Sequence, residues 1–274
     1  MQKHNRHRIR NLSLLVVSAV VLWLLHGLAE TALRDTARLS GWLLFGMIVF
    51  LAAYNVRKKL PFLPLGSSAA WLQFHIYVGL LTAVVFGLHI GWRLPNGGLE
   101  TLLASLYGIV FVSGVAGLAL SRSLAKRLTT RGNEVMFERI PVYRKRIASE
   151  VETIVLTSLD TSESTAIAQF YAERLRPYFS VTRNFWHHLL QSNRPRFALL
   201  SEMKAYHRFL NDDERLVMLD LEDRVAAKDD LDYQHTLQAT LKYWLFVHIP
   251  ITYALVAFAV FHLMLVSSFA GGAW

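Results

Sequence analysis

Four histidines carry the clearest chemical signal in this sequence: His75 and His89 in one apolar stretch, His248 and His262 in another. Within each pair the residues stand 14 positions apart. On an α-helix, 14 residues rise about 21 Å and complete close to four turns. Each pair therefore falls on one face of its helix, with an imidazole toward either end. Imidazole is a metal ligand and a proton carrier near neutral pH. It is costly in hydrocarbon, so an intramembrane histidine reads first as functional. Packing or interhelical hydrogen bonding would account for one such residue, but fits two equal spacings poorly.

The elements that must position these residues are membrane spans. The chain has 274 residues, 53% of them hydrophobic, and a mean hydropathy of +0.31, more apolar than a soluble domain of this length. The apolar residues cluster into stretches near the ~20 residues that cross a bilayer: Leu12 to Ala29, Leu39 to Val56, Ala69 to Trp92, Leu99 to Leu120, and Leu241 to Phe269. Between the last two lies a polar segment, Ser121 to Thr240. The expected fold is all-α, an integral membrane bundle of about five spans with an inserted helical domain. Residues 1–120 supply the first four spans, 121–240 the inserted domain, and 241–274 the fifth span. The first stretch follows Lys3, Arg6, Arg8 and Arg10, as a signal peptide would. Its best cleavage region, Gly27-Leu28-Ala29, is poor, and a retained helix is the favoured reading.

Charge gives the orientation. Basic residues gather at the N-terminus, at Arg57-Lys58-Lys59 and at Arg122, Lys126, Arg127 and Arg131. The loops bearing Glu30, Arg34, Asp35 and Arg38, or Arg93 and Glu100, are balanced. With five crossings the basic ends share one side, so the N-terminus and the inserted domain are expected in the cytoplasm and Trp274 outside. A bacterial inner membrane is the expected location. The net charge of +9 is thus topological. No basic stripe is paired with aromatics on a soluble face, which argues against nucleic-acid binding. The chain has no cysteine, which excludes disulfides, thiolate metal sites, iron–sulfur clusters and covalent haem attachment.

The third and fifth spans run parallel in this topology. His75 is then level with His248, and His89 with His262. A bare metal ion would want three or four converging ligands. Two imidazoles facing each other across a flat macrocycle are what a six-coordinate haem iron takes, so the expected cofactors are two haem b groups. Glycines give room between helices: Gly41 and Gly46, Gly79 and Gly87, Gly108, Gly114 and Gly117. Haem propionates prefer cations at the membrane surface, and Arg57, Lys58 and Lys59 on one side and Arg93 on the other are candidates. Pro250, two residues after His248, frees the carbonyl of Phe246 and could aim His248. His26 has no partner at matching spacing and reads as a surface or packing residue. His187, His188, His207 and His235 show no ligand spacing.

The inserted domain reads as helical. Val142, Ile147, Val151, Ile154 and Val155 follow a 3.6-residue period after Pro141. Thr161 or Ser162 could cap a helix from Ala166 to Leu175, and Asn211 one from Asp212 to Ala226. No repeat, phosphate loop or nucleotide fingerprint is present.

With its two His-x13-His pairs, from Phe74-His75-Ile76-Tyr77-Val78-Gly79 to Leu88-His89 and from Val247-His248-Ile249-Pro250 to Phe261-His262, the membrane half resembles the dihaem b-type membrane cytochromes. Cytochrome b of bc-type complexes and the ferric reductases are similar in carrying both haems in a four-helix bundle. The resemblance implies that the four histidines are axial ligands. The sequence departs from the ferric reductases in lacking a C-terminal flavin and nicotinamide domain, and from the bc-type proteins in its insertion and in lacking a Pro-Glu-Trp-Tyr-like motif.

The expected function is transmembrane electron transfer, as the cytochrome b subunit of an oxidoreductase exchanging electrons with quinone and a redox protein. Whether the chain is itself an enzyme stays open. Arg139, Arg144, Lys145 and Arg146 could steer an acidic redox partner or bind anionic lipid. The alternative is a non-redox anchor or sensor presenting a partner-binding domain. A transporter is disfavoured by the lack of membrane carboxylates and broken helices.

Overall fold

The computed structural model describes residues 2–59, 67–129, 135–161 and 165–269, and every long element among them is an α-helix. Four helices precede the insertion: α1 (Gln2–Thr31), α2 (Thr36–Lys59), α3 (Ser68–His89) and α4 (Gly98–Leu128). Then come α5 (Ile140–Thr161), α6 (Ala166–Phe170), α7 (Arg176–Ser180), α8 (Phe185–Leu189), α9 (Arg194–Tyr206) and α10 (Asp212–Phe269). Among the described residues five helices are long and apolar enough to cross a membrane: α1, α2, α3, α4 and α10. The chain is an all-helical membrane protein.

The ends of these helices have local causes. Ser67 caps α3, accepting from the Ala70 amide at 3.2 Å. The expected span ran on to Trp92, but α3 stops at His89. Gly91 (φ 59°) and Trp92 (φ 57°) both enter the left-handed region, and Trp92 N donates to Gly87 O at 3.0 Å, closing the end. The Trp92 ring then covers Gly87, where a Cβ would lie 2.6 Å from it. Only glycine at position 87 leaves that room.

Two compact units divide the chain. Residues 1–119 and 245–274 form the membrane unit, and 120–244 the other. The membrane unit is centred on Leu44 and Ile48 of α2, Val85 of α3, Tyr107 of α4 and Leu255 of α10. Tyr107 stacks on Phe86, with centroids 4.1 Å apart, and its hydroxyl meets that of Thr82 at 3.0 Å. Thr82 lies midway between His75 and His89, and Leu255 midway between His248 and His262. A packed aromatic and aliphatic layer therefore occupies the middle of the bundle.

The second unit packs α5, α6, α7, α9 and the first part of α10 around Val151, Phe170, Leu175, Met203, Leu221 and Val225. The helix expected over Ala166 to Leu175 is interrupted by a π-helical turn, Tyr171–Leu175. Pro177 lies in the first turn of α7. It has no amide hydrogen and cannot continue the regular ladder, which accounts for a widened turn before it. Thr161 ends α5 rather than capping α6, whose cap position is Thr165; Ser162 is outside the described residues. Asn211 does cap α10. Its Oδ1 accepts from Glu214 N at 2.8 Å, and Glu214 Oε2 accepts from Asn211 N at 3.0 Å, a reciprocal capping box.

Helix α10 corrects a second expectation. Two helices, Asp212 to Ala226 and Leu241 to Phe269, were expected; one helix of 58 residues is observed. No Pro or Gly interrupts positions 227–240. Leu231, Tyr233, Leu237 and Ala239 are buried there together with Asp229, Asp232, Gln234 and Thr236. Burial on all sides hides the amphipathic period, so the segment reads as a polar linker although it is the central helix of its unit.

Candidate functional site

The site is built from four helices of the membrane unit: α2, α3, α4 and α10. His89 ends α3 and turns toward the first turn of α2. Its Nδ1 lies 3.0 Å from Ala37 O and 3.4 Å from Ser40 Oγ. A carbonyl can only accept, so Nδ1 carries the proton, and Nε2 of the neutral ring holds the lone pair. Ser40 gives its own proton to Thr36 O at 2.7 Å, which presents an oxygen lone pair to the ring. Gly41 lies directly under the imidazole: a Cβ there would fall 2.8 Å from His89 Cε1. His262 lies on α10, seven residues beyond Leu255 of the central layer.

His248 faces α4. Its Nδ1 is 3.1 Å from Ser113 Oγ, and its Cε1 would lie 3.8 Å from a Cβ on Gly114. Its carbonyl accepts from Thr252 Oγ1 at 2.8 Å, and the helix continues through Pro250. His75 packs on the ring of Tyr54 in α2, with centroids 5.1 Å apart. The next residue, Asn55, donates to Tyr253 OH of α10 at 3.1 Å. Depth follows from the Thr82–Tyr107 bond. His75 is about 10 Å from that level along α3, and Ser113 about 9 Å from it along antiparallel α4. His75 and the Ser113–His248 pair thus share one level, and His89 with His262 the other.

The other residues expected at the site are placed as follows. Arg93 is exposed, four residues past His89 in the turn after α3. Arg57 lies in the last turn of α2, but its side chain, like those of Lys58 and Lys59, is outside the described residues. Gly46, Gly79 and Gly108 face open space. Close backbone packing runs along α2 and α3 and between α1 and both. Among the described residues no three His, Cys, Asp or Glu side chains converge as a metal-ion cage would require. An axial pair needs no third protein ligand.

No family model, curated protein or solved structure matches this chain. Its reading rests on its own residues.

Outside the membrane unit, Arg144 corrects the expected basic flank. Its Nε approaches Asp232 Oδ1 at 3.3 Å, and an Nη1 bonds Thr182. Arg144 therefore faces the interior, because a buried carboxylate draws it in. Arg139 and Lys145 stay exposed, and Arg146 pairs with Glu150 at 2.9 Å. The remaining histidines with described side chains are placed locally. His26 lies 3.6 Å from Glu30, His188 lies 3.6 Å from Asp229, and His207 meets Glu222 at 3.0 Å. His235 stacks on Phe137, and His187 is exposed.

Sequence reasoning did not find Ala37, Ser40, Tyr54 or Ser113. A backbone carbonyl has no sequence signature, and serine and tyrosine are ordinary in membrane helices. Gly41 and Gly114 were visible only as generic small residues.

Proposed function

We propose that the membrane unit holds two b-type haems, His75 with His248 and His89 with His262 as axial pairs, and carries electrons across the bilayer. The observation that supports this best is the 3.0 Å contact of His89 Nδ1 with Ala37 O, which assigns the proton to Nδ1 and leaves the Nε2 lone pair for a ligand bond. The residues fit the group in carrying two oriented imidazoles, His89 held by Ala37 O and Ser40 and His248 held by Ser113. When bound, the two haems supply one-electron relays near the two membrane faces. The chain's part is to orient the rings, exclude water through the Leu44, Val85, Tyr107 and Leu255 layer, and offer the exposed Arg93, four residues past His89, to a propionate. Quinone is the expected lipid-soluble partner and a redox protein the second. The N-terminal side, with residues 121–240, is assigned to the cytoplasm on its basic charge.

The test is purification of the full chain in mild detergent from haem-replete cells. Two non-covalent haems per polypeptide with a b-type reduced-minus-oxidised spectrum are expected. A colourless protein would sink the proposal and favour a membrane anchor or sensor.

Gly41→Ala probes one layer without touching a ligand. The new Cβ would fall 2.8 Å from the His89 ring, so the ring must leave its place against Ala37 and Ser40. Haem retention at the His89–His262 layer is expected to drop about 10-fold, as loss of ligand orientation usually does. Gly46→Ala, which meets open space, is expected to retain both haems. Equal retention in the two variants would contradict the assigned role of Gly41.

A further inference from the structure

This inference rests on the two-haem reading and concerns α4, a helix that supplies no ligand. Ser113 Oγ lies 3.1 Å from His248 Nδ1, and neighbouring Gly114 lets the ring lie against the α4 backbone. The register of α4 is locked about two turns away, where Tyr107 stacks between Phe86 and Phe111 and its hydroxyl meets Thr82. Ser113 is therefore held at a set height by packing that is independent of His248. A ligand imidazole whose second nitrogen donates a hydrogen bond is fixed in tautomer and orientation, and becomes a stronger electron donor to the metal.

We propose that Ser113 is a positioning residue for the His75–His248 site. Its hydroxyl accepts the Nδ1 proton of His248, directs Nε2 toward the iron, and holds the reduction potential of that haem down by strengthening the ligand. A stronger donor favours the ferric state, so losing the bond moves the potential positive. The competing account is a serine–histidine staple between α4 and α10 with no electronic consequence. A staple would affect stability and leave the potential unchanged.

The experiment uses the full chain with haem bound. Haem stoichiometry comes first, then a redox titration and ferric-haem EPR on the wild type, Ser113→Ala, Ser113→Thr and Ser113→Cys. The same titration on His89→Ala, which is expected to keep only the His75–His248 haem, assigns the two potentials. Ser113→Ala is expected to shift that haem alone to a more positive potential, change its EPR g-values, and release it about 10-fold more readily on dilution. Ser113→Thr restores the wild-type values, and Ser113→Cys, a weaker acceptor of similar size, shifts the same way as alanine. Two haems with unchanged potentials and EPR in both the alanine and cysteine variants would overturn the role of Ser113. Should the wild type itself bind no haem, the two-haem reading falls at the stoichiometry step, before Ser113 is in question.

Discussion

Replacing His89 by alanine is expected to leave the purified chain with one haem instead of two. His89→Ala removes the ring that Ala37 O and Ser40 hold in place, and with it one of the two ligands of the proposed His89–His262 pair. The His75–His248 layer lies about 21 Å away along α3, beyond the Leu44, Ile48, Val85, Tyr107 and Leu255 core. It should keep its haem, its spectrum and its potential. His262→Ala should match His89→Ala, and His75→Ala should match His248→Ala, the second pair losing the other haem. A double variant with one change in each layer, such as His75→Ala with His89→Ala, is expected to be colourless while still inserting in the membrane. The measurement is haem per polypeptide together with the number of resolved steps in a redox titration. If all four single variants retained two haems, the axial assignments would be wrong. If every one lost both, the layers would not be independent sites.

The second large effect lies in residues 120–244. Lys228 and Asp232 are 0% and 1% exposed and form an ion pair one turn apart on α10. Lys228 Nζ also donates to Val181 O at 2.8 Å and sits 4.3 Å over the Tyr178 ring. Asp232 Oδ2 accepts from the Arg183 amide at 3.2 Å. Arg144, whose side chain is 15% exposed, approaches its other oxygen. Taking both charges out of water is costly, and their mutual contact together with these further partners offsets it. Asp232→Ala removes the partner and leaves an ammonium in the core, at an expected cost of roughly 3–5 kcal/mol. The double variant Lys228→Met, Asp232→Leu abolishes both charges and should lose less than the single change. Asp230→Ala, which breaks a partly exposed ion pair with Arg196, should cost under about 1 kcal/mol. Amide hydrogen exchange along positions 217–237 of the full chain reads these differences locally, where a single unfolding free energy for a two-unit protein would not be well defined. An Asp232→Ala chain exchanging no faster than Asp230→Ala would show that the pair is dispensable.

The two expectations differ in how far the sequence supports them. The histidine pairs are visible because spacing along one helix is a local property, and 14 residues return to the same face wherever the helix sits. The pairing across helices needed the topology. Lys228 and Asp232 are also four residues apart, but i, i+4 pairs are usually solvated faces. Nothing in the segment from Ala227 to Thr240 announces that its charges point inward.

By itself the sequence determined that the chain is helical and crosses a membrane, because a bilayer demands about 20 apolar residues and backbone hydrogen bonds closed within each segment. It also determined the cap at Asn211, where an acceptor side chain and an acidic residue three places on suffice. Tertiary structure decided what touches the histidines: Ala37 O and Ser40 at His89, Ser113 and Gly114 at His248, Tyr54 at His75. It decided that Arg144 turns inward to Asp232, and that α10 continues unbroken from Asp212 to Phe269. The physical reason is common to these cases. Helix formation and membrane crossing depend on residues near in sequence, whereas the partner of a polar side chain depends on which helix packs beside it, and that information is spread over the whole chain.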